Sequence, residues 1–294
     1  MHADEVDIDA GIVRRLLATQ LPRWAGLPLE PVLPWGTDNA LFRLGEDLVV
    51  RLPRRERTVA TLKKERRWLA KLGPRLPLAV PAPLAEGEPG EGYPFTWSVY
   101  SWLDGKTERV ADEAQLADDL ARFLAALQRI DPRGGPEPGE HNFFRGCPLE
   151  LRDEQARASI AALASTIDAD EAIAAWEAAL RAPKWESEPV WIHGDLDTRN
   201  LLVAEGGLSA VLDWGSLGVG DPACDVMVAW KVLSRDARGE FRDALGVDDA
   251  TWARGRGWAL SQAVDALAYY TPETNAVLVD EASRWLAEVL ADPD

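Results

Sequence analysis

The chain has 294 residues, 47% hydrophobic and 28% charged, with a formal net charge of −17. That length suffices for a large core or two lobes, and the composition is that of a folded protein rather than a disordered one. The acidity argues against a nucleic-acid partner, which needs a basic stripe, and no apolar run approaches the roughly 18 residues of a membrane span.

The first residues, MHADEVDIDAG, lack the basic-then-apolar order of a secretion signal, and Cys147 and Cys224 are the only cysteines. A cytoplasmic location is therefore expected. His2, His141 and His193 are too scattered for a zinc site built on imidazole. Ile12, Val13, Leu16 and Leu17 have helical spacing within Asp9–Gln20. Three short strands follow at Pro31–Leu33, Ala40–Leu44 and Asp47–Leu52, with Gly36–Asn39 as the first turn. Glu56–Leu72 reads as a helix that buries Leu62, Trp68, Leu69 and Leu72. Pro77–Pro94 reads as loops around edge strands, and Phe95–Leu103 as a strand.

Beyond Asp104 the pattern is mainly helical. Asp112 with Gln115 resembles a capping box that opens a helix through Leu116, Leu120, Phe123, Leu124 and Leu127. Asp131–Pro148 is a loop rich in Pro and Gly, of a length that is often functional. Helices are expected over Asp153–Leu163, after the Asp168/Glu171 cap, and over Val228–Leu233, Phe241–Leu245, Trp252–Tyr270 and Asn275–Leu290. The many tryptophans are assigned to the core.

Between these helices lies the most informative stretch, WIHGDLDTRNLLVAEGGLSAVLDWGSLGVGDPACD over Trp191–Asp225. A short apolar run, Pro189–Ile192, ends at His193-Gly194-Asp195, a turn that presents one carboxylate. Leu201–Ala204 and Leu208–Leu212 alternate around Gly206-Gly207, the composition of a hairpin. Asn200 precedes the hairpin and Asp213 follows it. Three oxygen-bearing side chains at strand ends suit a hard divalent cation and a hydroxyl nucleophile.

His193-Gly194-Asp195-Leu196 with Asn200, then Asp213-Trp214-Gly215, then Gly220-Asp221-Pro222 with Asp225 resembles the catalytic segment of the aminoglycoside phosphotransferase family. Trp35–Asn39 and Val49–Arg54 extend the resemblance over most of the chain. It implies an α+β, two-lobed, protein-kinase-like fold: a small antiparallel-sheet lobe over residues 1–103, including the hinge, and a larger, mainly helical lobe over residues 104–294. It implies that the γ-phosphate of ATP or GTP moves to a hydroxyl of a small molecule, with Mg²⁺ as cofactor.

By the same resemblance Asp195 is the catalytic base, while Asn200 and Asp213 hold Mg²⁺. Gly36 and Asn39 lie over the nucleotide phosphates, although the turn by itself reads as a plain hairpin. Arg51 stands where protein kinases carry a lysine; it grips phosphate or, alternatively, is a solvated strand arginine. Glu65 is its expected partner, with Glu56 second. Main-chain groups around Ser101 and Leu103 meet the base. Arg199 either meets the γ-phosphate or forms an outward salt bridge. His193 braces the loop, Asp221 and Asp225 pin it, and Asp197 replaces a histidine common in the family.

An aminoglycoside or other antibiotic, or a choline-, homoserine- or sugar-like metabolite, is the implied acceptor. A nucleotide-binding regulatory pseudokinase is the alternative, opposed by the intact Asp195, Asn200 and Asp213. Residues 1–103 hold 14 basic and 13 acidic residues, the remainder 18 and 36. That excess favours a cationic or neutral acceptor through the protein's field, or else serves solubility alone.

Overall fold

The computed structural model describes residues 5–33, 38–107, 113–204 and 206–292. The chain divides into two compact units, Met1–Gly105 with Ala210–Gly215, and Lys106–Ser209 with Ser216–Asp294. Its class is α+β.

The first unit opens with α1 (Ala10–Gln20), capped by Asp9, whose carboxylate accepts from Ile12 N–H at 2.7 Å. Strands β1 (Leu29–Pro31), β2 (Asn39–Leu44) and β3 (Leu48–Pro53) precede α2 (Glu56–Leu72). Strands β4 (Pro83–Gly87) and β5 (Trp97–Ser101) complete a five-stranded sheet of order β1-β2-β3-β5-β4, antiparallel throughout. Alternation in β2 sends Ala40, Phe42 and Leu44 inward. With Val50, Leu52, Trp97 and Val99 they form a core closed by Val13, Leu16 and Leu17 of α1. All four apolar positions expected inside α2 are buried, and so is Glu65.

The first strand sits two residues earlier than expected. Leu29 pairs with Leu44 and is buried, whereas Leu33 is exposed. Pairing across the sheet, not the local apolar run, sets its place. The expected strand over Phe95–Leu103 shortens to β5. Gly36 and Asp112 lie outside the described residues.

The second unit contains α3 (Glu113–Gln128), α4 (Asp153–Ala162) and α5 (Ala169–Arg181), then β6 (Val190–Ile192). Strands β7 (Leu201–Ala204) and β8 (Gly207–Val211) form the expected hairpin, and β9 (Gly218–Gly220) pairs antiparallel with β6. Helices α6 (Ala223–Val226), α7 (Val228–Val232), α8 (Arg235–Leu245), α9 (Asp249–Tyr269) and α10 (Pro272–Leu290) complete it. Helix α9 packs against α4, α5, α6 and α10. Its residues from Gly257 to Val264 are buried on every side, so it lacks the polar face of a surface helix. Trp176, Trp191, Trp230, Trp258 and Trp285 are buried in this unit and Trp97 and Trp214 in the first, as core residues.

One close approach joins the Gly146 loop to the end of β9. Asp221 N–H donates to Gly146 O at 2.9 Å, and a Cβ on Gly220 would lie 2.4 Å from that oxygen. Only glycine permits the two backbones to meet there.

Candidate active site

In the second unit, β6 ends at Ile192 and the chain turns through His193, Gly194 and Asp195. Gly194 has φ +84°, and a Cβ there would lie 2.7 Å from Ser216 O, so both conformation and space demand glycine. Asp225, fully buried at the start of α6, accepts from His193 N–H through Oδ2 and from Gly194 N–H through Oδ1, both at 2.7 Å. Burial pushes the Asp225 carboxyl pKa up, opposed by the adjacent His193 and by those two N–H groups. His193 braces the turn from within, its Nδ1 accepting from Asp195 N–H at 3.2 Å. Asn200 Nδ2 donates to Asp195 O at 2.8 Å. The backbone of Asp195 is thus held at its N–H by His193 and at its carbonyl by Asn200, on a turn that Asp225 pins, while its side chain keeps 30% of its surface exposed.

Asp221 is a brace as expected. It accepts from Ala223 N–H at 2.9 Å and takes the Arg254 guanidinium at 2.7 and 3.2 Å. Arg254 had no signal in the sequence beyond a charged residue within a buried helix.

Arg199 does not present its guanidinium freely. Nε and Nη2 donate to the two oxygens of Asp197 at 3.1 and 2.5 Å, and Arg199 N–H also reaches Asp197 Oδ1 at 2.9 Å. The alternative of a salt bridge describes it, except that the partner Asp197 is fully buried. Burial raises the Asp197 pKa, but Lys231 and then Arg199 outweigh it and hold the carboxyl below the usual aspartate range. Lys231 is the residue the sequence reading missed. A lysine inside the apolar run Val228–Leu233 was its one signal.

In the first unit, Arg51 on β3 pairs through Nη1 with Glu65 on α2, and its guanidinium lies 5.1 Å from the centre of the Tyr100 ring. Burial alone would lower the Arg51 pKa, but Glu65, Tyr100 and Asp213 together hold it above the ordinary value, so the guanidinium stays charged. Of the two glutamates considered, Glu65 is the partner. Replacing it with glutamine keeps a hydrogen-bond acceptor and removes the charge. Glu65→Gln is expected to cost about 1–2 kcal/mol, read as a lower denaturant midpoint at unchanged slope.

Asp213, which the sequence reading assigns to the larger segment, lies in the first unit. Its φ is +54°, a conformation aspartate tolerates better than most residues. Trp214 Nε1 donates to Val211 O at 3.0 Å and closes this turn. Asn39 begins β2, with Oδ1 buried and without a hydrogen-bond partner among the described residues. Ser101 N–H donates to Ala82 O at 2.9 Å and Trp102 N–H to Asp47 O at 2.7 Å. Two of the donors expected for a nucleotide base are therefore spent on other backbone carbonyls, which leaves the Leu103 N–H. Ser101 Oγ is taken as well, by Ala82 N–H at 2.9 Å.

Among the described residues no helix is long and apolar enough to cross a membrane, and no group of three His, Cys, Asp or Glu side chains could hold a metal by itself.

No curated protein matches the sequence. Among solved structures the chain resembles the GDP and kanamycin complex of APH(2")-IIia, with 19% identity, a TM-score of 0.72, and coverage of 95% of this chain and 98% of that one. It also resembles the GDP complex of wild-type aminoglycoside 2'-phosphotransferase-IIIa, with 17% identity, a TM-score of 0.72 and coverage of 97% and 99%. Macrolide 2'-phosphotransferase MphH from Brachybacterium faecium shares 24% identity, with a TM-score of 0.64 and coverage of 97% and 99%. At these identities the likeness establishes the fold. The model of the phosphotransferase enzyme family matches residues 31–258, a span that takes in Arg51, Glu65, Asp195, Asn200, Asp213 and Asp225 alike, and the chain belongs to that family.

Proposed function

We propose that the protein transfers the γ-phosphate of ATP or GTP to a hydroxyl of a small molecule. The observation that carries this reading is the presentation of Asp195: a backbone fixed by His193 and Asn200 on a turn that Asp225 pins, and a side chain that remains partly open. Such a carboxylate can orient an acceptor hydroxyl and take its proton as the new O–P bond forms and the bond to the leaving ADP or GDP breaks. Phosphoryl transfer asks little else of a protein than positioning and charge neutralisation.

Arg51, kept charged and directed by Glu65, is assigned to phosphate oxygens, for which a guanidinium offers paired donors. Asn39 and Gly36 are assigned to the phosphates, and the Leu103 N–H to the base. Arg199 is given no such role in this reading because Asp197 takes its Nε and Nη2 donors. The Asp213 carboxylate and the Asn200 amide oxygen are hard ligands of the kind Mg²⁺ takes, one or two from the protein and the rest from phosphate and water. When bound, Mg²⁺ would supply charge neutralisation at the phosphate oxygens. Asp213→Ala is expected to weaken Mg²⁺-dependent nucleotide binding by at least roughly tenfold. A titration with and without Mg²⁺ checks it, and an unchanged Kd at saturating Mg²⁺ would remove Asp213 from the metal site.

The 36 acidic against 18 basic residues beyond residue 103 favour a neutral or cationic acceptor. Aminoglycosides and macrolides come first in testing because structural neighbours include a kanamycin complex and a macrolide 2'-phosphotransferase. The experiment is a panel of alcohols, amino-alcohols, sugars and antibiotics, each assayed for stimulated release of ADP or GDP with Mg²⁺. Stimulation by one compound class supports the reading. A flat response across the panel counts against it.

A further inference from the structure

We infer that Lys231 is a positioning residue for the proposed transfer: a buried ammonium that fixes the direction of the Asp195 carboxylate. The inference rests on the reading of Asp195 given above. Helix α7 is Val-Ala-Trp-Lys-Val, and the Lys231 side chain within it has no exposed surface. Packing alone does not call for a charge there. An apolar side chain of similar length would fill the space beside Met227 and Trp285 without the cost of burying an ammonium.

Burial lowers the Lys231 pKa, opposed by Asp197 and then Asp195, and the neighbours of Nζ show the geometry of that opposition. Gln262 Oε1 lies at 3.0 Å, Asp197 Oδ2 at 3.7 Å and Asp195 Oδ1 at 3.8 Å, with the centre of the Trp285 ring at 4.2 Å. Gln262 is itself fixed, its Nε2 donating to Met227 Sδ at 2.8 Å. The ammonium is therefore held by a ring face, an amide oxygen and two carboxylates.

The charges then sort themselves. Asp197 already receives two guanidinium donors and a backbone N–H from Arg199. Asp195 has no guanidinium partner among the described residues, and its ion pair is with Lys231. At 3.8 Å the ammonium attracts Asp195 Oδ1 without hydrogen-bonding to it. The carboxylate is drawn to one orientation while its oxygens stay available to accept a proton. A fixed charge of this kind needs no rearrangement during the reaction. Without it, the Asp195 and Asp197 carboxylates would repel each other, and Asp195 would turn toward solvent. Misplacing a reacting group by about 1 Å can cost on the order of 10²-fold in rate.

The test compares Lys231→Met, Lys231→Arg and Asp195→Asn with the wild type. Release of ADP from Mg·ATP and of GDP from Mg·GTP is followed with water as phosphoryl acceptor, over a range of nucleotide concentrations, beside thermal melting. Lys231→Met is expected to lower kcat at least roughly tenfold with nucleotide KM within about twofold, and Lys231→Arg to recover most of the loss. A merely structural lysine would lower the melting temperature and leave kcat per folded molecule unchanged. Should Lys231→Met not fold, Lys231→Gln, which can still bond Gln262, serves in its place. Wild-type kcat in the charge-removed variant, with turnover lost in Asp195→Asn, overturns the role of Lys231 and leaves the reading of Asp195 standing. Wild-type turnover in Asp195→Asn overturns both.

Discussion

Asp195→Asn is expected to lower turnover by roughly 10² to 10⁴-fold, the range for losing a general base, with nucleotide affinity preserved. The amide matches the carboxylate in shape, and the backbone bonds that hold position 195 come from His193 and Asn200, which the substitution leaves in place. What disappears is the ability to accept the hydroxyl proton. Nucleotide binding is assigned to Arg51, Asn39 and Asp213, which belong to the first unit, whereas Asp195 belongs to the second. Steady-state kinetics with an isothermal titration of nucleotide separate the two effects. A purified variant with wild-type turnover would exclude Asp195 as the base.

Asp225→Ala is expected to damage both stability and rate. The carboxylate is the acceptor for two buried N–H groups, His193 and Gly194. Leaving a buried donor without a partner costs about 1–3 kcal/mol, so two such groups cost about 2–6 kcal/mol. The same loss frees the turn that presents Asp195, so turnover of the folded fraction should fall by at least roughly tenfold. Asp225→Asn keeps one acceptor oxygen and should lie between the two. Denaturant unfolding and activity of the same samples check the pair. Equal stability of Asp225→Ala and wild type would mean that those N–H groups find other partners.

Local pattern carried much of the architecture. The bounds of α2 and four of its buried positions follow from apolar spacing, and the β7–β8 hairpin follows from two alternating runs around paired glycines. The roles of Asp225 and His193 were also legible, since an ordered motif specifies a turn and its braces together. Partners that meet across long sequence separations were not. The pairing of Asp197 with Lys231 joins the segment after Asp195 to α7, and that of Asp221 with Arg254 joins α6's approach to α9. Asp221 reads as a brace and Lys231 as a lysine in an apolar run, but only the fold shows which charge each one meets.

Strand ends show the same division. Apolar character in Pro31–Leu33 fits a strand as well as Leu29–Pro31 does, and pairing with β2 decides between them. β9 is Gly-Val-Gly, a composition that reads as a turn until Val219 is set opposite Trp191. The commitment of the Ser101 and Trp102 N–H groups to Ala82 and Asp47 likewise has no side-chain signature, because both bonds are made by backbone.

The most direct test is to follow a radiolabelled γ-phosphate. Wild-type protein is incubated with labelled ATP or GTP, Mg²⁺ and the acceptor panel, and the products are separated by charge. The account predicts label on an acceptor as a base-stable phosphoester, dependent on Mg²⁺ and lost in Asp195→Asn. Label that stays on the nucleotide with every acceptor, although the nucleotide binds, would contradict it.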